Sequence, residues 1–170
     1  MVRNSETATP ANPTANGYVR VEGVVRLPAT CADPFELFTP NGERAWVHDW
    51  DPQYPTPTPD DSAPGTVFEI VHGGQRATWI VCQRKRGTSI QYARVLPGDH
   101  AGMVTVTLGD DSEGTFARVE YRLTALADEA VVELQRFAAQ YPAFLEHWET
   151  SIARACGQSE AVHRDHPSSG

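Results

Sequence analysis

Near residue 127 the hydrophobic period of the chain changes, and only a fold that respects the change can bury its apolar side chains. Beyond Asp128 the apolar positions are Val131, Leu134, Ala138, Tyr141, Leu145, Trp148 and Ile152. Their spacing alternates between three and four, which is one stripe of an α-helix. Phe137 and Phe144 widen the stripe. Asp128 is a good N-cap and Gly157 a natural stop. The expected helix is roughly 40 Å long.

Before residue 127 the period is two. Val19, Val21, Val25 and Leu27 alternate with Arg20, Glu22 and Arg26 from Tyr18 onward, the pattern of a half-buried strand. Five further strands are expected over residues 66–72, 77–84, 89–96, 101–108 and 115–126. The turns between them carry Gly73-Gly74, Gly87, Pro97-Gly98 and Gly109 to Gly114. Close spacing with glycine-rich turns predicts an antiparallel meander. Asp33-Pro34 opens one short helical turn, and Gly42 to Val47 fits a second.

The fold class is therefore α+β. One curved antiparallel sheet of about six strands wraps a long C-terminal helix, with two short helices after the first strand. A single helix is roughly 10 Å wide and cannot fill the concavity of six strands. What remains is either plugged by side chains or left as a cavity.

The domain is expected over residues 17–157. Residues 1–16 and 158–170 offer little to bury and read as disordered tails. His163 and His166 in the second tail read as solvated. Residues 52–64 hold five of the 13 prolines; they form a long loop that is either a lid over an opening or a static wrap.

A formal charge of −8 argues against a nucleic-acid partner. The single basic run, Arg84-Lys85-Arg86, reads as a solvated hairpin end. No apolar run is long enough for a membrane span, and nothing resembles a signal peptide. Cys31, Cys82 and Cys156 lie far apart with no C-x-x-C. The expectation is no metal site, no disulfide framework, a packed Cys82 and a cytoplasmic protein, monomer or homodimer.

The order of elements resembles the START-like, helix-grip superfamily, also called SRPBCC, over residues 18–156. The segment Phe38-Thr39-Pro40-Asn41-Gly42-Glu43-Arg44-Ala45-Trp46-Val47-His48-Asp49-Trp50-Asp51-Pro52 is similar to bacterial members of the polyketide-cyclase-like kind. That resemblance implies an apolar ligand held between helix and sheet; no cofactor is expected. It also puts Trp46 and Trp50 at the cavity entrance.

Strand alternation names the side chains that could face the helix. They are Phe68, Ile70 and His72; then Trp79, Val81 and Gln83; then Ile90, Tyr92 and Arg94; then Val104, Val106 and Leu108; then Val119, Tyr121 and Leu123. A one-residue bulge would invert any of these assignments. The expected ligand-binding wall is Phe68, Ile70, Trp79, Val81, Gln83, Tyr92, Val106, Val119, Tyr121, Leu134, Phe137, Tyr141 and Leu145, with Trp46 and Trp50 at the mouth.

Three functions follow from this reading. The first is binding of a small hydrophobic molecule. The second is a metal-free cyclase or dehydratase in which His72, Tyr92 and Arg94 act as acid/base and oxyanion groups. The third is a protein-binding activator module, which needs an apolar outer sheet face. His100, in the Pro97 to His100 turn, is expected to be exposed.

Overall fold

The computed structural model describes residues 17–164, with side chains as far as residue 158. Residues 1–16 and 165–170, and the side chains of His163 and His166, lie outside that description.

The six strands are β1 (Tyr18–Arg26), β2 (Val67–His72), β3 (Gln75–Lys85), β4 (Ser89–Leu96), β5 (His100–Asp111) and β6 (Gly114–Ala125). Two short 3₁₀ turns, Glu36–Phe38 and Gly42–Ala45, follow β1, and one helix, α1, spans Asp128–Arg164. The sheet order is β1-β6-β5-β4-β3-β2, and every neighbouring pair is antiparallel. β2 to β6 form the expected meander, and β1 closes it by pairing with the last strand. This is the α+β helix-grip arrangement.

Local chemistry explains the turns. His72 pairs with Gln75, so the β2–β3 hairpin has a two-residue loop. Gly73 and Gly74 both take positive φ, 57° and 79°, the conformation such loops require. Asp33 accepts a hydrogen bond from the Glu36 N–H at 3.2 Å, opening the first 3₁₀ turn.

The helix buries the stripe read from its spacing. Leu134, Tyr141, Leu145, Trp148 and Ile152 are all buried. It packs on β1 and β6, at one side of the sheet. α1 does not stop at Gly157, which stays helical without a left-handed φ, and it runs on to Arg164. A glycine permits a stop but does not compel one.

The cysteine expectation needs correction. Cys31 and Cys156 form a disulfide, with Cα atoms 5.0 Å apart across a sequence separation of 125. It ties the segment after β1 to the last turns of α1. Cys82 is the free cysteine and is exposed rather than packed. No helix of the described residues is long and apolar enough to cross a membrane.

The loop 52–64 is strapped down. Gln53 exchanges backbone hydrogen bonds with Glu69 at 2.9 and 2.8 Å, which covers the edge of β2. Arg84 Nη1 donates to Asp60 Oδ1 at 2.7 Å and to Ser62 Oγ at 2.9 Å. Arg86 Nη2 donates to Asp60 Oδ2 at 2.9 Å. Arg84 therefore belongs to a loop anchor and not to a solvated hairpin end.

Candidate functional site

The helix covers only part of the sheet, and the space it leaves is a cavity of about 260 Å³. Its floor comes from β2 to β6. Its roof comes from the second 3₁₀ turn and the segment after it, through Glu43, Val47 and Trp50, with Phe144 and Trp148 of α1 closing the side.

Hydrogen bonds hold the roof segment in shape. Trp46 Nε1 donates to the Leu37 carbonyl at 2.7 Å, and Trp50 Nε1 to the Pro40 carbonyl at 2.8 Å. Buried Thr39 donates to the Glu36 carbonyl at 2.9 Å and accepts from the Gly42 N–H at 3.0 Å. A Cβ at Gly42 would lie 1.6 Å from the Glu36 carbonyl oxygen, so only glycine fits. Arg44 pairs with Asp51 and donates to the Pro52 carbonyl at 3.0 Å. Most of the Thr39-to-Pro52 motif is thus architecture. Glu43, Val47 and Trp50 also line the cavity, and Glu43 is the one among them that brings a carboxyl to it.

His72, Tyr92 and Arg94 all line this cavity, as do Trp50, Ile70, Trp79, Val106 and Tyr121. His72 sits exposed at the rim and has no hydrogen-bond partner among the described residues. The Tyr92 hydroxyl donates to the Phe38 carbonyl at 2.7 Å. Burial, helped by Glu43, holds that phenol well above its ordinary value. Burial likewise raises the Tyr121 phenol. The Arg94 guanidinium lies over the Trp79 ring, 5.2 Å from its centroid, and burial lowers its pKa. An arginine starts so far above neutrality that it stays charged.

The other expected wall residues lie elsewhere. Gln83 is exposed because the register shifts between Val81 and Gln83. The bulge leaves Gln83 on the outer face beside Gln91 and turns Arg84 inward beside Ile90. Phe68 is fully buried behind the wall, stacked 6.0 Å from Trp79. Trp46 packs on Trp148, with ring centroids 4.9 Å apart, and not at the mouth. Val81 and Val119 are fully buried in the sheet interior. Leu134, Phe137, Tyr141 and Leu145 belong to the helix–sheet contact outside the cavity, where Tyr141 donates to the Val119 carbonyl at 2.7 Å. The 52–64 loop supplies no lining residue, so it is a wrap and not a lid over this cavity.

Sequence reasoning missed Glu43, Val47, Gln75, Ala77, Leu96, Phe144 and Trp148 as lining residues. Phe144 and Trp148 were visible on the helix stripe, and alternation placed Val104 inward. Glu43 carried no such signal, since a charged residue in a short polar turn reads as solvated. It is buried, no cation reaches its carboxyl among the described residues, and burial pushes its pKa well above the usual carboxylate range.

His100 is buried and not exposed. It opens β5 on the inward face, and its Nδ1 is hydrogen-bonded to Asp99. Burial, reinforced by the charge of Arg94, lowers its pKa against the opposing pull of Asp99.

Solved structures share this fold at low identity. A Staphylococcus aureus protein, SA2116, is similar at 12% identity over 85% of this chain and 96% of its own, with a TM-score of 0.62. Mesorhizobium loti MLL2253 is similar at 21% identity over 81% and 97%, with a TM-score of 0.58. DynU16, from the dynemicin biosynthetic locus, is similar at 18% identity with a TM-score of 0.52; the match covers 82% of this chain but 46% of that one. No family model matches the chain, and no curated protein matches it.

Proposed function

We propose that the chain binds a small, largely apolar molecule in the cavity between the sheet and the roof segment. The observation that carries this reading is the lining itself. It is an almost continuous apolar and aromatic wall interrupted by a few polar heads, Glu43, His72, Gln75, Tyr92, Arg94 and Tyr121. Small-molecule sites have that composition. Affinity comes from burial, at about 25 cal/mol per Å² of apolar surface removed from water. A volume of about 260 Å³ lies just below the roughly 300–1,000 Å³ usual for such sites. It suits one or two rings or a short chain.

Tryptophan emission reports on this cavity, because Trp50, Trp79 and Trp148 line it. Titration with naphthalene-1-methanol is expected to change that emission saturably. Ala77→Phe, which fills the cavity from the floor, is expected to abolish the response. A native protein without a saturable response, or a folded Ala77→Phe variant that still responds, refutes the reading.

A cyclase-like enzyme is the second reading. It is favoured by the polar groups His72, Tyr92 and Arg94 around one cavity and by the similarity to a protein of a biosynthetic locus. It stands second because the Tyr92 proton is already bonded to a carbonyl and His72 has no orienting partner. A protein-binding role comes last. The outer sheet face is a lattice of ion pairs among Arg20, Glu22, Arg118, Glu120 and Arg122, which is a poor apolar surface.

A further inference from the structure

We propose that the guest of this cavity is a monocarboxylate, its carboxylate seated on the Arg94 guanidinium. The inference rests on the ligand-binding reading and names the class of ligand.

Arg94 is on the inward face of β4, paired with Trp79 of β3 on one side and Gly102 of β5 on the other. Among the arginines whose side chains are described, only Arg94 and the exposed Arg154 form no ion pair. Arg94 donates no hydrogen bond to any described residue, and its Nε is buried without a partner. Asp99, an acid whose charge reaches Arg94, is engaged with His100.

Three of the four unmet polar side-chain atoms among the described residues gather around this one group; the fourth, Arg122 Nε, lies on the outer face near Glu120. Trp79 Nε1 and His100 Nε2 are also buried without a partner. Trp79 neighbours Arg94 in register, and His100 stands two residues from Gly102, which pairs with Arg94. The tryptophan and arginine nitrogens can only donate. Arg94 is half-buried with its Nε shut from solvent, and a folded chain rarely leaves such a guanidinium without an anion, because the uncompensated charge is costly. The missing partner is therefore an acceptor that carries negative charge, and it comes from the guest. A carboxylate matches the planar fork of a guanidinium, and the apolar remainder of such a molecule matches the aromatic wall.

Glu43 sets the limit on charge. Its carboxyl lines the same cavity without a cation among the described residues. Protonated, it can donate to an uncharged oxygen; ionised, it repels. Either way a second carboxylate on the guest meets no counter-charge, so a monoanion is preferred over a dianion.

The test is calorimetric titration at pH 7 with 1-naphthoate, naphthalene-1-methanol and naphthalene-1,4-dicarboxylate. 1-Naphthoate is expected to bind at least tenfold tighter than the alcohol and tenfold tighter than the diacid. Arg94→Gln is expected to bring 1-naphthoate down to the level at which the same variant binds the alcohol. Equal affinity of acid and alcohol in the native protein overturns the carboxylate inference and leaves the cavity reading intact. So does a preference that survives in Arg94→Gln. Equal binding of the diacid overturns the restriction to one charge. If neither acid nor alcohol binds, the cavity reading itself falls. Should Arg94→Gln fail to fold, the ratio of acid to alcohol affinity in the native protein decides.

Discussion

A carboxyl group at position 43 has no cation within reach among the described residues, and burial drives its pKa well above the usual range. In the unfolded chain the same group ionises near pH ~4.3. The folded state therefore holds the proton more tightly. The stabilisation from this group is fully present below the unfolded pKa and is lost as pH rises through the folded one. Glu43→Gln keeps the shape and removes the titration. Urea midpoints from pH 4 to pH 9 are expected to show native stability falling relative to Glu43→Gln, by up to about 1.4 kcal/mol per pH unit. Parallel curves for the two proteins would show that Glu43 ionises freely. This residue was not legible in the sequence. Burial of one carboxyl depends on a roof that several distant segments build together. The glycine beside it was legible only as a turn former, and its close approach to the Glu36 carbonyl emerges from the folded turn.

Strands and turns were legible because their signals are local. The period of two marked the strands, and glycines marked the turns between them. The bulge in β3 was not legible, since the apolar run Trp79 to Cys82 and the polar run Gln83 to Arg86 carry no alternation for a bulge to interrupt. What places it is pairing with β4, and it both exposes Gln83 and turns Arg84 toward Asp60. The strap that results holds the proline-rich loop against β3. The Arg84 side chain is 13% exposed and Asp60 is 35% exposed, so this ion pair is partly screened and stabilises the whole protein modestly. Asp60→Asn is expected to leave the global urea midpoint almost unchanged. It is also expected to speed amide hydrogen exchange in residues 58–66 selectively. Uniform exchange changes across the sheet would show that the anchor serves the core and not the loop.

For the molecule as a whole, the consequence that matters is asymmetry. α1 lies over β1 and β6, and the rest of the concavity is left to the roof segment and the cavity. The disulfide between Cys31 and Cys156 joins the segment leading to the roof with the far part of the helix. Thiol titration of the unfolded, unreduced protein is expected to count only Cys82, and all three cysteines after reduction. Replacing Cys31 and Cys156 with serine is expected to lower stability by roughly 2–4 kcal/mol, through the loop-closure entropy returned to the unfolded chain. Three titrating thiols before reduction would dismiss the bridge. The sequence by itself determined the elements, their antiparallel order and the inward stripe of the helix. Periods of two and 3.6 are written in neighbouring residues and need no knowledge of the rest. Only the tertiary structure decided which half of the sheet the helix covers, where a cavity is left and which polar groups it buries. Those outcomes depend on contacts between residues as far apart as Cys31 and Cys156, and no local pattern encodes a distance across space.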